Sequence, residues 1–244
     1  NTITTVSSSV NRVIAPLKNS NKNKFLMKTA DYVITSSPAL NSYCIDVNNN
    51  KKCKYISSSV NIDRFLPVNT YSNNKKVTIG WTGTFSSKEY LDLLRSALIT
   101  LKDRCDFKLI VIGNFEYKFP EMDVEVIKWS SKNEVKDMQK IDIGIYPLSD
   151  DPWVHGKSGL KAIQYMAFGL PVVATNIGTT PKIIENMRNG LLVNSDREWV
   201  SALEKLVKNP ELRKTLGQEA RKTIIDKYSI NAIKIDYFSI ISKL

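Results

Sequence analysis

Glycine and proline are sparse in these 244 residues, at ten and nine, cysteine occurs three times and histidine once. So few glycines and prolines exclude a collagen-like repeat and low-complexity disorder, and a 42% hydrophobic share supplies a core. Cys44, Cys53 and Cys105 are odd in number, widely spaced and without a Cys-x-x-Cys pair, which excludes a zinc knuckle and a disulfide framework. They read as free thiols in a reducing cytoplasm. No apolar run reaches the roughly 18 residues that a membrane span needs. The chain starts Asn1-Thr2-Ile3-Thr4, with neither an initiator methionine nor a signal-peptide pattern, so it is expected to begin inside a longer protein.

Acidic residues are scarce at one end. Residues 1–76 hold eleven of the 35 Lys and Arg but only three of the 24 Asp and Glu. A basic surface of this kind attracts phosphorylated ligands, anionic lipid or nucleic acid. Nucleic acid is not expected, because Phe25, Tyr32, Tyr43, Tyr55, Phe65 and Tyr71 form no recognisable binding motif with the lysines.

From Val77 onward apolar runs alternate with helical periodicity. Strands are expected at Val77–Trp81, Phe107–Ile112, Val124–Ile127, Ile141–Tyr146, Pro171–Thr175 and Leu191–Val193. Ser86-x-x-Glu89 and Ser131-x-x-Glu134 read as capping boxes that open helices, the first carrying Leu91, Leu94, Leu98 and Leu101 on one stripe. A helix from about Ser158 to Phe168 should stop at Gly169 before Pro171. This alternation implies an α/β fold with a doubly wound, Rossmann-like parallel sheet, which binds ligands beyond the carboxyl ends of its strands. Residues 1–66 offer only two strands and two helices, which reads as the tail end of a second, partial Rossmann-like domain. The expected division is 1–66, 67–228 for the main domain, and 229–244 for a terminal helix returning toward the first part.

The segment from Asp151 to Thr175 carries the chemistry. If the helix extends back to Lys157, then Lys157, Lys161 and Gln164 share a polar face, and Leu160, Ile163 and Ala167 turn toward the sheet. The backbone N–H groups of Ser158, Gly159 and Leu160 at the helix start favour a phosphate, with Gly159 admitting close approach. The competing description is an ordinary amphipathic helix with two solvated lysines. His155 is a candidate acid or sugar ligand, and Asp150 and Asp151 are candidate sugar ligands in a loop too poor in carboxylates to hold magnesium. Trp153 is placed to stack on a ligand or to pack in the core. No metal site is expected.

The run Gly156-Lys157-Ser158-Gly159-Leu160-Lys161-Ala162-Ile163-Gln164-Tyr165-Met166-Ala167-Phe168-Gly169-Leu170-Pro171-Val172-Val173 resembles the C-terminal half of glycosyltransferase family 4, enzymes of the GT-B fold. Ile79-Gly80-Trp81-Thr82-Gly83-Thr84, Ala30–Ile34 and Val60–Pro67 support the likeness. The resemblance implies transfer of a sugar from a nucleotide-diphosphate donor, with retention, to a glycan or lipid-linked acceptor, and no cofactor. It implies that Gly83 and Thr84 approach the diphosphate or sugar, that Ile127, Lys128 and Trp129 flank the base, that Ser158–Leu160 donate backbone N–H bonds, and that Gln164 meets the ribose. Two departures stand out. The family's paired glutamates fall on Gly156 and Gln164, and its loop arginine falls on Thr84, with Lys88 displaced from the expected lysine position. Phosphate charge is therefore assigned to Lys157 and Lys161 as stabilisers of the leaving diphosphate.

Alternatives are a sugar-nucleotide epimerase of the same fold, which needs converging carboxylates and a histidine, and a non-enzymatic basic binding module. Lys18, Lys22, Lys24 and Lys28 add an expected peripheral contact with an anionic membrane from the cytoplasmic side.

Overall fold

A computed structural model describes residues 21–67 and 76–244. The polar lead-in, Lys18, Tyr71 and the expected entry into the main domain just after residue 67 lie outside the described residues.

The main body is a six-stranded, wholly parallel sheet of β3 (Val77–Gly83), β4 (Phe107–Gly113), β5 (Val124–Lys128), β6 (Ile143–Tyr146), β7 (Val172–Thr175) and β8 (Leu191–Val193), in the order β5-β4-β3-β6-β7-β8. β4, β6 and β7 are nearly continuous apolar runs because both faces of the sheet are covered, whereas the edge strand β5 carries Glu125 and the exposed Lys128. On one face α4 (Arg95–Lys102) and α9 (Asp196–Lys208) pack Leu98, Leu101, Leu203 and Leu206 against Ile79, Leu109 and Ile143. On the other, α7 (Leu160–Ala167) and a π-helical turn (Ile224–Tyr228) pack Ile163, Ala167 and Ile224 against Ile110, Ile112 and Val172. Each fully buried leucine or isoleucine contributes about 1.5–3 kcal/mol.

The strand order reverses between β3 and β6, so the chain leaves their carboxyl ends in opposite directions. A crevice opens there by geometry alone. The sheet matches the expected α/β architecture strand for strand, with boundaries moved by a residue or two.

Ahead of the sheet, α1 (Lys22–Thr29), β1 (Val33–Thr35), α2 (Pro38–Val47) and β2 (Cys53–Tyr55) form a small unit whose two strands are parallel. Asn48, almost wholly buried, ties it together by donating through Nδ2 to the carbonyls of Met27 and Ala30, each at 2.8 Å. The crossing segment 60–66 is held to the main body by Arg221. Its guanidinium donates to the carbonyls of Ile62 (2.9 Å), Phe65 (2.7 Å) and Ala167.

Three local expectations need correction. The helix after β3 opens with a 3-10 turn (Phe85–Ser87) that starts at Thr84, not with a Ser86–Glu89 box, and it divides into α3 (Lys88–Asp92) and α4. The leucine stripe is nonetheless fully buried. The helix α5 (Glu134–Met138) starts from Asn133, because Glu134 turns away from local capping to pair with Arg64 at 2.6 Å. Finally, α11 (Ile230–Ile241) packs Ile233 and Ile240 on Ile56 but leaves Ile235, Phe238 and Ile241 exposed, so its docked face is narrower than the sequence suggests. Among the described residues no helix is long and apolar enough to cross a membrane.

Candidate functional site

Two clefts meet at the reversal point, divided by Lys161. The smaller, about 300 Å3, is lined by Thr82–Thr84, Asn114, Trp129, Glu134, Lys161 and Gln164. The larger, about 710 Å3, lies between α2 and the stretch from α6 (Pro152–His155) to the start of α7, and includes Lys157–Lys161.

The floor of the smaller cleft is set by β3. Trp81 is fully buried, and the loop above it passes so close that a Cβ on Gly83 would overlap the indole and come within 2.7 Å of Ser87 Oγ. Tyr165, also fully buried, fixes the strand end: its hydroxyl accepts from the Thr82 N–H at 2.7 Å and donates to Thr82 Oγ1 at 3.2 Å. Ser87 Oγ accepts from the Thr84 N–H (3.1 Å) and from Lys161 Nζ (3.2 Å). The Lys161 ammonium also lies 4.6 Å from the Trp81 ring centroid, a cation–π contact. Burial, then the nearby Lys157 charge, lowers the Lys161 pKa from 10.5 to about 8. A cation so poorly solvated gains strongly from an incoming anion.

The helix bearing Lys161 begins later than the sequence suggests. Gly159 has φ +73° and ends any helical path from Lys157, so Lys157 and Lys161 share no helix face. Gly159 is required by that left-handed backbone and by Ile183, whose Cδ1 a Cβ would overlap, rather than by ligand approach. Lys157 still enters the site, with Nζ 4.8 Å from the Tyr90 ring centroid; its pKa is lowered chiefly by burial. Among the described residues no hydrogen bond occupies the N–H groups of Ser158, Gly159 or Leu160. Ile163 and Ala167 face the core as expected, whereas Leu160 is 39% exposed in the larger cleft.

Gly83, Thr84, Trp129, Lys161 and Gln164 therefore share the smaller cleft, and Lys157, Ser158, Gly159 and Leu160 line the larger. Ile127 packs against the core and Lys128 is exposed on the edge strand, so neither lines a cleft. His155 is exposed, 3.5 Å from Asp150, and also lies outside both linings. Asp151 caps α6 through the Val154 N–H (3.0 Å), and the Ser149 hydroxyl and these backbone bonds hold its carboxyl below the usual range. Lys88 stacks over Tyr117 at 5.8 Å rather than entering either cleft. Sequence reasoning missed Trp81, Ser87, Tyr90 and Tyr165 as supports; Tyr165 was legible only as part of the Gln164-Tyr165-Met166-Ala167 run.

Residues 64–223 match the family of glycosyl transferases group 1. The chain belongs to that family. Among its relatives, an uncharacterized glycosyltransferase of Methanocaldococcus jannaschii is 28% identical over 220 residues, 84% of this chain and 59% of that protein. The capsular polysaccharide biosynthesis glycosyltransferase CapM of Staphylococcus aureus is 23% identical over 173 residues, 66% of this chain and 44% of CapM. The chain thus spans between about two-fifths and three-fifths of these two relatives' length. In fold it resembles Anabaena HepE, solved in complex with UDP-glucose, with a TM-score of 0.73 at 16% identity over 95% of this chain and 70% of HepE. Such neighbours identify the sheet and its companion unit as the GT-B arrangement.

The group 1 family pattern also weighs against the epimerase alternative. Among the described residues that line the two clefts the carboxylate is Glu134, already bonded to Arg64, and His155 is turned elsewhere. Among the described residues no cluster of His, Cys, Asp and Glu is arranged to hold a metal ion.

Proposed function

We propose that the chain is the donor-binding part of a glycosyltransferase, which takes a nucleoside-diphosphate sugar at the smaller cleft and passes its sugar to an acceptor hydroxyl across the larger one. The observation that carries this is the convergence of Gly83, Thr84, Trp129 and Gln164 on one poorly solvated cation, Lys161, at the reversal point of the sheet. In this reading the base stacks on Trp129, the ribose meets Gln164, and the diphosphate lies between Lys161 and the Ser158–Leu160 amides. HepE's complex with UDP-glucose supports a sugar nucleotide as ligand.

In the transfer, the bond from the anomeric carbon to the diphosphate oxygen breaks, a bond to the acceptor oxygen forms, and the acceptor proton must leave. Lys161 and Lys157 would stabilise the departing charge. Retention fits a site in which the diphosphate oxygen itself is the base beside the acceptor, because Glu134 is engaged by Arg64. CapM's role in capsular polysaccharide biosynthesis supports a glycan acceptor. Residues 1–66 would belong to the acceptor-side domain, 67–228 to the donor domain, and 229–244 to the returning helix, whose Asp236 binds Lys54 at 2.6 Å. Lys22, Lys24 and Lys28, all exposed on α1, would face anionic lipid.

Calorimetric titration with UDP, GDP, ADP and TDP tests the donor site. Binding of at least one is expected, with little transfer by this chain alone, which spans only part of its relatives' length. Absence of binding by all four would remove the donor assignment.

A further inference from the structure

We infer that Arg64 and Glu134 are positioning residues for the nucleobase: they hold the Trp129 ring in place in the smaller cleft, so that the segment crossing between the two units helps to set donor affinity. The inference rests on the donor reading of that cleft and adds what keeps its stacking surface in position.

Trp129 needs such support. It follows the edge strand β5, and its backbone is fixed by an N–H bond to the Gly113 carbonyl at 2.8 Å. The side chain, however, is 46% exposed, and a ring that turns freely must be immobilised when a base stacks on it, which lowers affinity. Among the described residues its indole N–H has one acceptor, Glu134 Oε1, at 3.4 Å. That bond is long, so it orients the ring only if the carboxylate stays where it is. The other oxygen of Glu134 meets this need: Oε2 accepts from Arg64 Nη2 at 2.6 Å, a charge-assisted bond. The same Nη2 reaches the Ser131 carbonyl at 3.4 Å, within the turn that joins Trp129 to α5.

Arg64 is itself held. Its guanidinium lies 5.3 Å from the Phe65 ring centroid, and Phe65 is buried against Phe168 with ring centroids 5.1 Å apart. Arg221 fixes the backbone on either side through the Ile62 and Phe65 carbonyls. Gln139, at the far end of α5, donates to the Leu66 carbonyl at 3.0 Å, so the crossing segment grips that helix at both ends. An ion pair with side-chain exposures of 46% and 16% adds little to stability. Its consequence is orientation: a ring already set for stacking loses less of the binding energy to its own ordering.

The probes are the tightest binder among UDP, GDP, ADP and TDP, and inorganic pyrophosphate, which has no base. In calorimetry Arg64→Met should weaken the nucleotide about fivefold or more and leave pyrophosphate within about twofold. Trp129→Ala should do the same, and the double variant should bind no more weakly than Trp129→Ala alone, because Arg64 acts through the ring. In a Trp153→Phe background, where Trp81 and Trp199 are buried, acrylamide should quench the Trp129 emission more strongly once Arg64 is replaced. Glu134→Met is the substitute should Arg64→Met not fold. Additive losses in the double variant, an equal loss for pyrophosphate, unchanged quenching, or a nucleotide affinity that Trp129→Ala lowers and Arg64→Met does not would each overturn the inference. Absence of binding by all four nucleotides, or indifference to Trp129→Ala, would instead refute the donor reading and the inference with it, so the two failures are distinguishable.

Discussion

Lys161 is the residue on which nucleotide binding should turn, and its depressed pKa makes the dependence visible as a titration. Burial and then the Lys157 charge bring the free group to about 8. A diphosphate at Nζ favours the charged form, so the pKa of the complex lies higher. Below the free value the lysine is charged with or without ligand, and affinity is flat. Above it, binding must take up a proton, and affinity falls about tenfold per pH unit until the bound pKa is reached. Between pH 7 and 9 the Kd for UDP, or for whichever nucleotide binds best, should rise about tenfold, about 1.4 kcal/mol. Calorimetry in buffers of different ionisation enthalpy should show uptake of about half a proton at pH 8. Lys161→Met should abolish the step, whereas Lys157→Met should keep it and move its midpoint upward, since one source of repulsion is removed. The same shift acts on stability with a definite sign. An unfolded chain holds more protons than the folded one between pH 8 and 10.5, so stability rises with pH across that window and the charged lysine destabilises the fold below it. Allowing for partial exposure, Lys161→Met should stabilise the ligand-free chain at pH 7 by about 1–2 kcal/mol and raise Tm by about 2–6 °C. A flat affinity from pH 7 to 9 without proton uptake would refute the reasoning.

Gly159→Ala forces a Cβ onto a left-handed backbone and into Ile183, and should lower stability by about 2 kcal/mol or more in a denaturant melt; an unchanged midpoint would contradict the backbone account. Tyr165→Phe strands the Thr82 N–H and should cost about 1–3 kcal/mol, with weaker nucleotide binding because the glycine loop loosens. Arg221→Met leaves the carbonyls of Ile62, Phe65 and Ala167 without their donor and should lower Tm by several degrees without altering UDP affinity, a combination that thermal denaturation and calorimetry check together.

The sequence by itself determined the sheet. Runs such as Phe107–Gly113 and Val172–Thr175 are apolar at every position but Lys108 and Thr175, so each is buried on both faces, and the helical stretches between them leave a parallel doubly wound arrangement as the packing that covers both. It also marked Lys157, Ser158, Gly159, Lys161 and Gln164, because they are close along the chain. Tertiary structure decided what depends on partners distant in sequence. Glu134 read as a local cap until Arg64, 70 residues away, claimed its carboxylate; Lys88, one position from the expected lysine, lies over the Tyr117 ring, a partner the local sequence does not indicate. Lys157 and Lys161 read as one helix face, yet Gly159 separates them, so that Lys157 lines the larger cleft alone and Lys161 lines both. Periodicity reports which side of an element is apolar, but a side chain's partner, and with it its charge and its role, is fixed only when distant segments are brought into contact.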